Sequence, residues 1–547
     1  MSTRTGYAAD GPATAAAPRG VGRTTAVTSR AAALAALACA PAARAQAPSL
    51  ASAPVRGVAV VVPRPAPAAR DSLHAAAAPA PAPARGTPRT PAAAPDYKLL
   101  RFDESWRRPP APGAGPLARL KHLPLAADDA VYLTLGGQLR WRGEDVSHYQ
   151  LGAGAARRGS FGLWRTGLAA DLHARPLFGV LGLRAFGELR DAVADGRELP
   201  GGARPQDTDR WDVQNLFVDV SAGAPDRVPR ATLRAGRQEL ALGKERLVGP
   251  GDWANARRTF QGLRLDAAAG PAGALQLFRV RPVQLSVARP NHADTAAVLW
   301  GATLTRAAWA GATGQLLALR ADQSPAAVPT AGGVLAGPQR RSTLGARLAG
   351  AVPGAARGWL ALDLEGGAQR GALAGRRVAA WYAVGELTAA GKRLPLRPTF
   401  TLGYDRSSGD RDSTDRAVGT FVAPYPSAHA FDGYADVVGR QNLADARAVL
   451  TADVPVVGQL RAAEHTFARV SPQDGAYGKT GALLRAPGGD AARAVGQELD
   501  LTATRPLGAH LKLVAGYAHF TPGAFLRHAP ATAHPLDWGF GGTTFTF

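Results

Sequence analysis

At 547 residues, 46% hydrophobic and 19% charged, the chain exceeds the usual single-domain length, although barrels of strands reach such lengths as one unit. No run of roughly eighteen strongly apolar residues follows the N-terminal region, which excludes a bundle of transmembrane helices but not a closed barrel, the other structure that pairs every backbone group in lipid. The formal charge of +22 is almost all guanidinium, since only six of the 64 basic residues are lysine, and a fixed excess of that kind points to a polyanionic partner.

Residues 1–45 read as a signal peptide: Arg19, Arg23 and Arg30 precede an Ala/Leu run at 31–38, and Ala43-Arg44-Ala45 offers a small-x-small cleavage site. The only cysteine, Cys39, falls in the segment to be removed, so the mature chain is expected to carry no thiol, disulfide or Cys-ligated metal. Residues 46–96 are dominated by Ala and Pro and hold too few large apolar side chains for a core, the composition of a disordered tether. These two segments hold +4 and +3 of the charge and leave +15 for residues 97–547. Residues 97–130, with Trp106, Pro109 and Pro110, form a mixed lead-in expected at or inside a barrel mouth.

From Val131 the period becomes two. Val131, Leu133, Leu135, Leu139 and Trp141 alternate with polar positions that include Arg140 and Arg142, and the pattern recurs with Arg184, Glu188 and Arg190 opposite Leu183 and Leu189. Segments of this kind near 131–142, 161–174, 179–191, 211–221, 231–242, 257–268, 273–282, 296–306, 313–322, 341–351, 356–369, 375–388, 395–406, 444–454, 457–469, 495–505, 509–520 and 538–547 give eighteen strands over residues 131–547. The expected fold is all-β, a closed antiparallel transmembrane barrel of about 18 strands, with both termini on the periplasmic side. Phe545 and Phe547 close an alternating strand, a pattern expected to engage the barrel-insertion machinery.

Metalloprotease, serine-hydrolase and dinucleotide motifs are absent, and the eleven histidines are scattered, so no enzyme activity, cofactor or metal is expected. The run from Asp405 to Asp415 has carboxylates at alternate positions, but Arg406, Arg411 and Arg416 neutralise them, which suits a solvated extracellular loop better than a calcium site. Arginine is dispersed at strand spacing rather than gathered with aromatics, which argues against nucleic acid as the partner.

Two blocks are more specific. The first runs Leu233-Arg234-Ala235-Gly236-Arg237-Gln238-Glu239-Leu240, then Gly243, Arg246 and Asp252-Trp253-Ala254-Asn255-Ala256-Arg257-Arg258-Thr259-Phe260 to Arg264. The second runs Gly403-Tyr404-Asp405, Pro424-Tyr425-Pro426-Ser427-Ala428-His429, Gly433-Tyr434 and Gly439-Arg440-Gln441-Asn442. Together they resemble the alginate export family of outer-membrane barrels, over about 131–547. The resemblance implies a bacterial outer-membrane channel with an electropositive, loop-constricted lumen that passes an anionic polysaccharide, or related anionic solute, from periplasm to exterior. A diffusive porin for small anions or sugars is the alternative. Its motifs nominate Arg234, Arg237, Gln238, Glu239, Arg246, Asn255, Arg258, Arg264 and Arg440 for the lumen, beside Arg140, Arg142, Arg184 and Arg190 from the strand pattern. Each arginine has two readings, solute contact or an interior salt-bridge ladder that stiffens the wall. Expected partners are the anionic polysaccharide or small anions, outer-membrane lipid, the insertion machinery through Phe547, and periplasmic biosynthesis proteins.

Overall fold

A computed structural model describes residues 97–547 except 112, 127–128, 153–157, 178–179, 203, 224–229, 269, 271–272, 310, 356–358 and 529–533. The expected signal peptide and Ala/Pro tether lie outside the described residues.

Eighteen long strands follow one another: β1 Val131–Ser147, β2 Arg158–Leu177, β3 Leu181–Asp195, β4 Asp209–Ala222, β5 Ala231–Gln238, β6 Phe260–Ala268, β7 Ala274–Gln284, β8 Ala297–Ala307 and β9 Ala312–Thr330. They continue as β10 Gly333–Ala351, β11 Leu360–Leu373, β12 Arg376–Ala390, β13 Thr399–Ser407, β14 Leu443–Val454, β15 Gly458–Arg469, β16 Ala494–Leu507, β17 Leu511–Pro522 and β18 Leu536–Thr546. Each pairs antiparallel with the next, and β18 returns to β1 in the register Gln138↔Thr546 to Ser147↔Asp537. The sheet therefore has no free edge, which lets it stand in lipid.

Alternation decides which face is which. On β1, Leu139 and Trp141 are exposed while Arg140 and Arg142 are buried, and on β4 Leu216, Val218 and Val220 are exposed while Asn215, Phe217 and Asp219 are buried. The apolar face is thus turned outward to lipid and the polar face inward. Short turns such as 454–458 and 507–511 lie at the end that holds both termini, the periplasmic end. The opposite end carries the long connections 239–259, 408–442 and 470–493.

The lead-in enters the periplasmic mouth. Arg101 donates to the carbonyl of Phe547 at 2.7 Å, Lys121 to that of Leu135 at 3.0 Å, and Tyr97 Oη lies 3.0 Å from His510 Nδ1. The Phe102 ring meets the lumen-facing Phe186 and Phe217 rings edge-on at 5.8 and 5.3 Å.

Candidate functional site

The connection from β5 to β6 does not leave the barrel but folds into it. Leu240, Leu242, Leu247 and Val248 are apolar enough to be drawn inward, where they pack with Phe260, Phe278, Leu299, Tyr382 and Phe421. Strand arginines then satisfy its backbone. Arg140 donates to the carbonyls of Asp252, Trp253 and Ala254 at 2.8, 3.4 and 3.1 Å and to Asn255 Oδ1 at 3.2 Å. Arg165 reaches the Asp252 carboxylate at 2.8 Å, and Asn255 Nδ2 donates to the carbonyls of Trp164, Asp207 and Val193. Arg257 closes the base of the loop on Glu239 at 2.7 Å and on Glu188 at 3.5 Å, and donates to the Leu99 carbonyl of the lead-in. Burial pushes Glu239 up to about 7 against the pull of Arg257. Asp252, buried among Arg165, Arg257 and Arg140, is nevertheless held below the usual carboxylate range.

The connection from β13 to β14 folds inward beside it. Gly249 N donates to the Tyr425 carbonyl and Tyr425 N to that of Leu247, so the two loops share a short parallel pairing. Arg258 clasps both, donating to the carbonyls of Gly249 at 2.8 Å and Tyr425 at 2.7 Å. Farther along, Ala435 N donates to Glu498 on β16 at 2.6 Å. Gly433 has φ +88°, and a Cβ there would lie 2.5 Å from the Glu498 carboxylate, so this bend requires glycine. Arg440 pairs with Asp405 and donates to the Arg246 carbonyl, while Arg246 meets Glu365 at 2.8 Å and Glu386 at 3.1 Å. Burial, then repulsion from Arg246, brings Arg440 down to about 10, still cationic at neutral pH.

Where the loops meet, aromatic rings stack across the lumen. The Arg142 guanidinium lies 3.7 Å from the Trp253 ring, Trp253 stacks on His429 at 4.1 Å and 15°, and His429 on Tyr434 at 4.7 Å and 11°. The guanidinium of Arg461 on β15 lies over the Tyr434 ring at 5.0 Å. His429 Nδ1 is 3.1 Å from Asp436, which also binds Lys479. Burial lowers His429 to about 4 despite Asp436, leaving it neutral at neutral pH; Asp436, which burial alone would raise, is held at about 2 by Lys479 and His429.

The other sequence candidates occupy the same wall or its rim. Arg184 grips Asp171 through two 2.8 Å bonds and donates to the Phe102 carbonyl; Arg190 pairs with Asp209. Arg234 takes Asp219 bidentately at 2.8 and 2.9 Å with its guanidinium 3.7 Å from the Phe217 ring, and Arg264 pairs with Asp266. Arg237, three positions from Arg234 and so on the opposite strand face, turns over the extracellular rim to Asp212, Val213 O and Asn291 O. Gln238 is fully buried behind the loop. Gly236, between Arg234 and Arg237, has φ +138°, and a Cβ would lie 2.3 Å from Leu216 O, so the strand approaches its neighbour too closely for another residue. Arg142 also binds Glu144 at 2.6 Å. Arg165, Arg257, Trp253, His429, Tyr434, Lys479 and Lys512 were not singled out in the sequence. Trp253, Arg257, His429 and Tyr434 stand inside the two motif blocks, which was the available signal.

Between the loops and the β16–β18 wall lies a cavity of about 820 Å³, lined among others by Arg140, Arg142, Arg165, Arg258, Lys479 and Lys512. A second of about 220 Å³, around Arg341 and Gln369, adjoins it through Val422, Pro424, Gln441, Thr480 and Gly481 and reaches Thr330 at the extracellular hairpin. Several cations beside these cavities have neutral acceptors. Arg140 and Arg258 donate to carbonyls and an amide, Arg341 to Gln339, Gln369 and the Thr420 carbonyl, and Lys512 makes no ion pair among the described residues. Such hydrogen bonds fix the guanidinium in place without cancelling its charge.

A family model described as alginate export matches residues 131–540. Among solved structures, the chain is similar to Pseudomonas aeruginosa OccK11 (OpdR), at 18% identity and TM-score 0.46, over 76% of this chain and 96% of that one. It is similar also to Pseudomonas aeruginosa OpdO, at 15% identity and TM-score 0.49, over 76% and 97%. No curated protein matches it significantly.

Proposed function

The chain belongs to the alginate export family of bacterial outer-membrane barrels, and from that premise we propose that it passes an anionic polysaccharide from periplasm to exterior through the paired cavities. The family is one of export channels. The observation that carries the reading is the set of cations held by neutral acceptors, Arg140, Arg258 and Arg341, together with the unpaired Lys512. A carboxylate in the larger cavity would lie within about one Debye length, roughly 8 Å at physiological salt, of several of them. Many such weak contacts in series let an anionic chain enter and still leave. The stacked Trp253, His429 and Tyr434 rings constrict the path, so the polymer passes in extended form or waits for the loops to part.

The experiment is polymer block in planar bilayers. Uronate oligomers added on the periplasmic side are expected to interrupt the current in proportion to their concentration, and neutral glucose oligomers of the same length to leave it unbroken. Equal block by the neutral oligomer, or none by either, would contradict the reading and leave a diffusive porin.

A further inference from the structure

The outer face of the barrel is not uniform. On β7 and β9–β13 it carries six exposed arginines, Arg279, Arg320, Arg340, Arg370, Arg377 and Arg406. Strand register sets them side by side: Arg279 opposes Trp300, Trp300 opposes Arg320, Arg320 opposes Ser342, and Ser342 opposes Arg370. One step higher, Arg340 opposes Ala372 and Ala372 opposes Arg377. Among the described residues, Asp322 is the one carboxylate that pairs with any of the six, at 2.9 Å from Arg320 and 3.6 Å from Arg340.

Their height is fixed by the apolar residues on the same face. Arg320, Arg340 and Arg406 each stand four positions toward the extracellular end from Leu316, Leu344 and Leu402, which are 60, 67 and 53% exposed. Four positions are roughly 13 Å along a strand. On strands tilted by about 40° that is roughly 10 Å of height, so each of these arginines stands on the extracellular side of the apolar residue of its own strand. Two tryptophans accompany them, with Arg279 4.8 Å from the Trp300 ring and Arg406 5.8 Å from that of Trp381, and tryptophan is the residue type favoured at membrane interfaces. Beside Arg377 and Arg406 a groove of about 880 Å³ also takes in Arg411 and Arg493; its carboxylates Asp410, Asp412 and Asp415 accept hydrogen bonds from their own loop. Near the extracellular rim on the other side of the barrel, Arg158 pairs with Asp145 and Arg210 with Asp191.

We infer that this face is a belt for phosphate-bearing lipid headgroups of the exterior leaflet. Guanidinium forks onto phosphate oxygens bidentately, the long side chains reach along the apolar surface to the headgroup level, and the tryptophans seat the acyl–headgroup boundary. The inference concerns the wall rather than the lumen and is independent of the cargo.

The test uses the full chain in detergent micelles with a diphosphorylated outer-leaflet glycolipid as probe. Binding is compared for that lipid, for the same lipid stripped of phosphate, and for inorganic phosphate alone. The expected result is at least tenfold weaker binding of the dephosphorylated lipid by the unaltered chain. A comparable loss is expected for the set Arg320→Gln, Arg340→Gln, Arg370→Gln, Arg377→Gln and Arg406→Gln, but not for Arg158→Gln with Arg210→Gln. Inorganic phosphate at millimolar concentration should displace little lipid. Unchanged conductance of the five-fold variant shows that it has folded, and if it does not fold, the lipid comparison on the unaltered chain decides. Equal binding of phosphorylated and dephosphorylated lipid, equal loss in both variant sets, or saturable binding of phosphate alone that displaces the lipid, would overturn the belt.

Discussion

Along β1–β6 four interior arginines meet carboxylates, Arg184 with Asp171, Arg190 with Asp209, Arg234 with Asp219 and Arg165 with Asp252, and Arg140, held by carbonyls and an amide, is the exception. Toward the periplasmic end of β14–β18 the lumen face carries Thr451, Arg461, Thr504, Lys512 and Thr544, and neither cation has an ion-pair partner among the described residues. The first wall is also covered by the lead-in through Phe102, whereas residues of the second line the larger cavity. The contrast shows why a count of arginines is a poor guide to the field in a pore. A guanidinium paired with a carboxylate builds the wall; one held by carbonyls, or by nothing, keeps its charge unmatched.

The largest effect is expected where a buried pair roots the inward loop. Arg257→Ala strands Glu239, which has no exposed surface, and is expected to cost roughly 3–5 kcal/mol as an unpaired buried charge. A lower urea midpoint with unchanged slope would check it, and a change under about 1 kcal/mol would mean that the loop is rooted elsewhere.

Acid is expected to loosen the stacked rings next. His429 is lowered by burial from 6.5 to about 4, so the folded state binds fewer protons than the unfolded state between those values. Its stabilisation is present above about 6.5 and is lost as pH falls toward 4, with a linked free energy of about 3 kcal/mol. Proteolysis of the 408–442 loop should rise across that window, and His429→Gln should flatten the profile. A profile that Gln leaves unchanged would place the titration elsewhere.

A crossed pair separates the two walls at smaller cost. Arg234→Gln should destabilise by a few kcal/mol, because Asp219 loses its bidentate partner, while leaving ion selectivity nearly as it was. Lys512→Gln should do the reverse, with stability changed by about 0.5 kcal/mol or less and anion preference lowered. Bilayer reversal potentials and urea unfolding on both variants would expose any overlap.

Much of this architecture was legible in the chain. All eighteen strands fall on segments picked out by the period of two, because burial on one face and lipid on the other impose that period on every strand. Within strands it also set Arg140 and Arg142 on the face opposite Leu139 and Trp141, and the burial of the arginines and exposure of the apolar pair tell which face is inside. The partners were less legible. Arg140 meets Asp252 across 112 positions and Arg257 meets Leu99 across 158, and local sequence says nothing of contacts made by a loop folded back into a barrel. Arg237 illustrates the limit of motif transfer, since its place in the Gly-Arg-Gln-Glu block suggested the lumen, while its strand parity sets it on the other face from Arg234. The aromatic stack escaped notice because its members come from two loops and from β1 and β15, joined by no spacing rule.

The central claim, that cations without carboxylate partners set the field in the pore, is tested most directly by reversal potentials under a salt gradient for two double variants. Lys512→Gln with Arg461→Gln is expected to shift the potential markedly toward zero, and Arg184→Gln with Arg234→Gln to leave it near the unaltered value. A channel that is cation-selective from the start, or one in which the second pair moves the potential as far as the first, would contradict the account.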